Sequence, residues 1–293
     1  DTSASRGLGD VYKRQLWFLS YNRPNIIFGM GGYASFPICI AAAMLRIKFV
    51  IYENNLIIGR ANKKLLPFAE KILVSYKNLE GISSKYNFKN IEVGNIIKKE
   101  IINFSLDLKI KKKVLKILIL GGSQAAKTFA EILPKIFKKC SDIGISIKII
   151  QHCLPHQNKE LSSFYKKSNI EHELFNFSDN LIQFFSKVNL AITRSGSSVL
   201  AELTNANIPF ISIPLPSSAD DHQLKNATFY KNKNFSFLVE EKDLNDKLLN
   251  LLKEIYENMS KLDEISANQR QYSDKHVYEN IEKVLDKILN EKN

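Results

Sequence analysis

The residues of this 293-residue chain that could do chemistry gather in short turns directly behind apolar runs. After the run 116–120 comes Gly121-Gly122-Ser123-Gln124. Two glycines permit a tight turn and a close backbone approach. A helix opening there turns free N–H groups on its ligand, and Ser123 adds a hydroxyl. That combination suits a diphosphate; a plain βα turn has the same composition. After the run 190–193 comes Arg194-Ser195-Gly196-Ser197-Ser198, with Glu202 four residues beyond Ser198 on the same helical face. A carboxylate there could accept hydrogen bonds from both hydroxyls of a ribose; a capping serine beside a solvated glutamate gives the same pattern. After the run 209–213, His222, Gln223 and Asn226 cluster at the start of a helix and could hydrogen-bond a sugar. Asp220-Asp221-His222 has metal-ligand residue types. A metal needs three or four converging ligands, and consecutive helical residues do not converge, so no metal site is expected. In the first half, the Gly-rich stretch 29–37 and Glu53-Asn54-Asn55 hold comparable positions.

The elements that must position these turns follow from the alternation of apolar runs with amphipathic stretches. Strands are predicted at 25–28, 49–52, 72–74, 91–93, 116–120, 145–150, 190–193 and 209–213, and helices at 37–45, 61–69, 127–138 and 274–289. Near-continuous apolar strands alternating with helices predict parallel sheets covered on both faces. In such sheets ligands bind outside the carboxyl ends of the strands, where these turns lie. The series breaks in a polar, Lys-rich stretch, 103–114, which reads as a linker. It separates a partial N-terminal domain (16–102) from a C-terminal domain (115–273), with a terminal helix (274–293) that could pack back on the first. Residues 1–15 are polar, bear Gly and Ser and lack periodicity, so they are expected to be foreign to the fold. A cleft between two doubly wound domains suits a nucleotide-sugar on one side and an acceptor on the other.

Composition narrows the classes. With 44% apolar and 25% charged residues the chain can build real cores and is not a disordered one. The net charge of +12 is carried largely by lysines mixed with Asn and Ile. No basic stripe interleaved with aromatics appears, so a nucleic-acid partner is not expected. Cys39, Cys140 and Cys153 are odd in number and form no CxxC pair, which fits free buried thiols in a reducing cytosol. No apolar run approaches the ~18 residues of a membrane span, and there is no secretory signal.

Taken in order, Gly31-Gly32-Tyr33 with Ser35 and Pro37, Tyr52-Glu53-Asn54-Asn55, Gly94-Asn95, Gly121-Gly122-Ser123-Gln124, Arg194-Ser195-Gly196 with Glu202, and Asp221-His222-Gln223 with Asn226-Ala227 form a specific series. From about residue 23 to about residue 238 the chain resembles the MurG family of glycosyltransferases, which move N-acetylglucosamine from UDP-N-acetylglucosamine to undecaprenyl-diphospho-muramoylpentapeptide in peptidoglycan synthesis. The resemblance implies an α/β fold of the GT-B type, two doubly wound Rossmann-like domains facing a cleft, with the first domain incomplete. It implies an inverting transferase that uses no metal or cofactor. The implied setting is peripheral, at the cytoplasmic face of the bacterial inner membrane. The implied partners are UDP-N-acetylglucosamine, an undecaprenyl-linked acceptor and an anionic membrane surface.

The resemblance also implies roles. Gly121, Gly122 and Ser123 would hold the donor diphosphate, with Ser197 and Ser198 assisting, and Glu202 would bind the ribose. Ser178, after Phe177, would bind uracil through its backbone. His222 and Gln223 would contact the N-acetylglucosamine hydroxyls, and Asn55 would reach the donor from the other domain. Gly31, Gly32, Tyr33 and Ser35 would help hold the acceptor diphosphate. Some positions depart from the family. Where Gly-Asn-Pro and an Arg are usual, this chain has Gly94-Asn95-Ile96-Ile97-Lys98; Lys98 supplies charge to the donor but not a bidentate fork. Phe36 stands where Gly is common. The family opens with a strand and a Gly-rich loop ending in His, its favoured general base. Nothing like it precedes Leu16, so the chain is expected to lack those opening units and no residue is assigned as the base. Two other readings stay open. One is a different GT-B enzyme using a UDP-sugar, such as a glycolipid transferase or a UDP-N-acetylglucosamine 2-epimerase. The other is a non-catalytic nucleotide-sugar binding fragment.

Overall fold

The computed structural model describes residues 2–104 and 113–291, with the backbone alone at 2–9 and 123–126. The chain divides into two units, Asp1–Ile96 with Asp274–Asn293, and Ile97–Ser273.

Unit 1 contains α1 (Thr2–Asn22), β1 (Ile27–Gly29), α2 (Gly32–Met44), β2 (Phe49–Glu53), α3 (Arg60–Leu65), β3 (Lys71–Val74), β4 (Asn90–Glu92) and the C-terminal helix α12 (Val277–Asn290). Its four strands pair in parallel in the order β1-β2-β3-β4. β2 is buried at every position, which is why Phe49–Tyr52 reads as an unbroken apolar run rather than an alternating one. Phe49 and Ile51 pack with Leu19, Cys39, Ala42 and Leu65 on one face. Val50 and Tyr52 pack on the other, where α12 contributes Ile281, Val284, Leu285 and Ile288. That spacing of three, four and seven residues is one stripe of a helix.

The stretch 2–15 forms the first turns of α1, and among the described side chains Leu16 and Leu19 are the first of that helix to reach the core. One sequence expectation changes here. The helix expected from Pro37 begins at Gly32, so most of the Gly-rich stretch is its first turns rather than a loop. Proline's fixed φ is compatible with a helix, and near a helix start its missing N–H removes only one bond. Ser35 donates its hydroxyl hydrogen to the Gly31 carbonyl (2.8 Å).

The loop after β4 fastens the C-terminal segment within unit 1. Asp274, buried, accepts from the Asn95 backbone N–H (2.8 Å). The Tyr52 hydroxyl lies 2.8 Å from Ser75 Oγ, donates to the Gly94 carbonyl (3.2 Å) and accepts from the Ile96 N–H (3.0 Å). Burial pushes the Tyr52 phenol above its ordinary pKa, partly offset by its bond to Ser75.

Unit 2 contains α4 (Lys99–Ile102), β5 (Leu115–Leu120), α5 (Ser123–Asp142), β6 (Ile147–His152), α6 (Asn158–Lys167), β7 (Glu171–Phe175), α7 (Ile182–Phe185), β8 (Leu190–Thr193), α8 (Ser197–Asn205), β9 (Phe210–Ser212), α9 (His222–Asn232), β10 (Phe237–Leu238), α10 (Leu249–Glu257) and α11 (Ser260–Gln269). All six strands are parallel, in the order β10-β9-β8-β5-β6-β7. This is the doubly wound order. The chain builds outward from β5 to β7, then returns to lay β8 on the other side of β5. The strand order therefore reverses between β5 and β8, and a crevice opens there at their carboxyl ends.

The break between units falls at 96/97 rather than within 103–114, because α4 packs against α8 in unit 2. Residues 105–112 of the expected linker lie outside the described residues. β7 and β10 were not expected from the sequence. The three cysteines are buried, and burial pushes the thiols up, Cys39 to about 11 and Cys140 to about 12, which leaves them unreactive. Among the described residues no helix is long and apolar enough to cross a membrane.

Candidate functional site

The crevice predicted by the strand order is occupied by a pocket of about 540 Å³, the size of a small-ligand site. From the end of β5 it takes Leu120, Gly121 and Gly122; from the end of β8, Thr193, Arg194, Gly196, Ser198 and Glu202. α5 opens behind Gly122 and α8 behind Gly196, and neither has a side-chain cap among the described residues. Two helix N-termini thus adjoin one pocket, an arrangement made for anionic oxygen. Ser123 begins α5, and its side chain lies outside the described residues.

The β8 turn is held by its neighbours. Arg194 is almost fully buried. Its guanidinium pairs with Glu241, donates to the Ile213 and Pro214 carbonyls (3.4 and 3.3 Å), and lies 4.8 Å from the Phe129 ring centre. Arg194 therefore serves as a strut between the ends of β8 and β9. Gln223, in the first turn of α9, accepts from the Ser195 and Leu215 N–H groups (3.2 and 3.0 Å). Asn226, three residues on, donates to the Ser195 carbonyl (3.2 Å). α9 is thereby stitched to the turn 195–198 by two of the three side chains that the sequence marks for a sugar. Gln223 still lines the pocket. His222 is not among the lining residues; its Nδ1 donates to the Ala219 carbonyl (2.7 Å). Ser197 is buried beside the pocket wall without lining it. Asp220 and Asp221, just before His222, both adopt positive φ (51° and 53°), a conformation disfavoured for a residue with a side chain.

Glu202 stands one turn into α8. Burial raises its carboxyl above the usual range, and the positive charge of Lys98 opposes that shift. Lys98 lines an adjoining pocket of about 570 Å³ that shares Ser178, Leu181 and Glu202 with the first. Its ammonium donates to the Asp179 carbonyl (2.5 Å). Ser178 is locked into its turn, donating to the Asn180 carbonyl (2.9 Å) and accepting from Gln183 Nε2 (2.8 Å).

The pocket also has a wall that the sequence did not announce. His152, Phe175, Phe177 and Leu181 line its far side. Phe175 stacks on Phe184 at 4.4 Å, His152 packs on Phe175 at 5.5 Å, and His152 Nε2 donates to the Asn176 carbonyl (3.0 Å). Phe177 is 78% exposed at the rim, an aromatic face open to a planar ring. Asn55, Gly31, Gly32, Tyr33 and Ser35 belong to unit 1.

Comparison with known proteins agrees with this geometry. The family described as glycosyltransferase family 28 C-terminal domain matches residues 116–287, and the N-terminal domain of the same family matches residues 10–74. The UDP-N-acetylglucosamine--N-acetylmuramyl-(pentapeptide) pyrophosphoryl-undecaprenol N-acetylglucosamine transferase of Pelagibacter ubique is 31% identical, over 95% of this chain and 78% of its own length. The protein of the same name from Francisella tularensis subsp. holarctica is 34% identical, over 92% of this chain and 75% of its own. Among solved structures, Acinetobacter baumannii MurG superposes with a TM-score of 0.77 at 23% identity, covering 94% of this chain and 78% of that one. S. aureus MnaA, in a co-structure with UDP, gives 0.70 at 16% identity, covering 98% and 82%. These likenesses give the fold, two parallel-sheet α/β domains of the GT-B type. Together with the match over most of its length at more than 30% identity, they place the chain in the MurG family of family 28 glycosyltransferases.

Proposed function

We propose that this chain transfers N-acetylglucosamine from UDP-N-acetylglucosamine to the muramoyl-pentapeptide diphospho-undecaprenol lipid intermediate. The observation that carries the reading is the pocket at the β5/β8 switch point, where two helix N-termini, a half-buried glutamate and an aromatic wall converge in a chain of this family. The diphosphate sits against the N-termini of α5 and α8, with Gly121, Gly122 and Ser123 on one side and Ser197 and Ser198 on the other. Glu202 accepts from the ribose hydroxyls. Uracil lies by Phe177, its edge on the Ser178 backbone and the Lys98 charge. Gln223, His222 and Asn55 address the sugar. Gly31, Gly32, Tyr33 and Ser35, at the start of α2, hold the acceptor diphosphate. The acceptor hydroxyl attacks the anomeric carbon in one displacement, its proton passing to a base that is assigned to no residue here. UDP leaves, its new charge stabilised by the same N–H groups that bound the donor. Calorimetric titration with UDP-N-acetylglucosamine, against UDP-glucose and UDP-N-acetylgalactosamine, tests the donor assignment.

The acceptor is a lipid, so the proposal includes an anionic membrane surface as a third partner, at the cytoplasmic face of the inner membrane. Support comes from the outer side of α1. Trp17, Phe18 and Tyr21 are 73%, 49% and 82% exposed, with Trp17 and Tyr21 stacked at 6.2 Å and Lys13, Arg14 and Arg23 exposed around them. Amphipathic aromatics ringed by cations suit a headgroup layer. Trp17→Ala with Tyr21→Ala is expected to lower partition onto anionic vesicles by about tenfold, with donor binding unchanged. Equal sedimentation of variant and parent with those vesicles would remove α1 from the contact.

A further inference from the structure

The loop behind β2 is wound around one carboxylate. Glu53 is almost fully buried, 4% exposed. Its Oε1 accepts from the backbone N–H and the Nδ2 of Asn55 (3.2 and 3.0 Å). Its Oε2 accepts from the Gly59 N–H (2.8 Å) and from Asn62 Nδ2 (3.0 Å). Asn62 is buried as well and donates to the Tyr52 carbonyl (2.9 Å). A Cβ on Gly31 would lie 3.1 Å from that carbonyl oxygen and 3.2 Å from Asn62 Nδ2, so Asn62 also backs the turn that opens α2. Glu53 and Asn62 therefore stand between Asn55 and the stretch 31–35, the two parts of unit 1 given ligand roles above.

A space-filling role does not account for this. Burying a carboxylate is costly unless its lone pairs are satisfied, and here four N–H groups from three residues of the loop and α3 satisfy them. The loop's shape depends on the acceptor-only character of the group. Glutamine has nearly the same volume, yet it would set an NH₂ against N–H donors on one side.

We infer that Glu53 is a positioning residue of the nucleotide-sugar site: it fixes the backbone and side chain of Asn55, and Asn62 fixes Glu53. The inference rests on the reading of Asn55 as a donor contact. UDP lacks the sugar, so UDP and UDP-N-acetylglucosamine report the two ends of the ligand separately.

The test is calorimetric binding of UDP-N-acetylglucosamine and of UDP to the full chain, its E53Q and N55A variants, and the double variant. E53Q is expected to weaken UDP-N-acetylglucosamine binding by about tenfold and to leave UDP binding unchanged. The double variant is expected to bind no more weakly than N55A alone, because Glu53 acts through Asn55. Losses that multiply in the double variant, or an E53Q protein that binds the nucleotide-sugar as the parent does while N55A does not, would overturn the inference. Should E53Q fail to fold, N62A removes one of the four donors and reads the same quantity. A several-fold loss for the nucleotide-sugar alone supports the inference, and no loss overturns it. A parent chain that binds neither ligand would instead overturn the proposed function.

Discussion

Glu202→Ala is expected to weaken UDP-N-acetylglucosamine binding about a hundredfold without unfolding unit 2. The carboxylate lies one turn into α8, on the same face as Ser198, and lines the pocket. Two hydroxyls donating to one charged acceptor are worth about 3 kcal/mol together, and that is the hundredfold. The site also makes the effect dependent on pH. Burial raises the Glu202 carboxyl, so the folded chain holds that proton more tightly than the unfolded chain. Protonation as pH falls therefore favours the fold, and ionisation as pH rises through the raised value costs stability. Ligand binding runs the other way, since only the carboxylate accepts from both hydroxyls. Affinity should begin to fall at a higher pH than an ordinary glutamate would cause. Lys98→Met removes the opposing charge and should move that acid limb to higher pH still. Glu202→Gln should bind poorly yet be no less stable than the parent at neutral pH. Unchanged affinity in Glu202→Ala, measured by titration, would end the ribose assignment.

The second large effect is on stability. Gly94→Ala is expected to destabilise unit 1 by about 3 kcal/mol. Gly94 has φ +98°, which a side chain disfavours, and a Cβ there would stand 2.7 Å from Asp274 Oδ1. That oxygen accepts from the Asn95 N–H, so the methyl group would displace the residue that tethers the segment leading into α12. α12 covers one face of the unit 1 sheet, and loosening it exposes Val50, Tyr52 and Leu73. Asp274→Ala leaves the Asn95 N–H buried without its acceptor and should cost about 2 kcal/mol. The double variant should lose less than the sum, because both changes break one contact. Urea unfolding checks all three, and a Gly94→Ala protein as stable as its parent would contradict this account of the tether.

The central strands were legible because burial on both faces leaves a run of apolar residues. Leu190–Thr193, between β5 and β9, is the clearest case, and its boundaries are those expected. β7 was not legible: Glu-His-Glu-Leu-Phe at the sheet edge has only intermediate or exposed positions, so no apolar run marks it. The sequence reads a linker at 103–114, whereas the units divide at 96/97; α4 is four residues long and its attachment to α8 has no local signature.

At the site, the turns after β5 and β8 were legible as strand-to-helix turns, and both line one pocket. What Gln223 and Asn226 hold was not, because their partner, the Ser195 backbone, lies 28 and 31 residues away in sequence. His152, Phe175 and Phe177 were passed over because aromatics behind apolar runs resemble core. The available signal was their place at the ends of β6 and β7, on the same side of the sheet as the β5 turn. Glu53 was read as a possible ligand group, and its four N–H partners mark it as a hub of the loop.

The measurement that bears most directly on the central claim is titration of the chain with UDP-N-acetylglucosamine, competed by UDP, UDP-glucose and UDP-N-acetylgalactosamine. The account predicts saturable binding at one site, competition by UDP, and weaker binding of the two other sugars. A folded chain that binds none of these nucleotides, or that takes all three nucleotide-sugars equally, would contradict it.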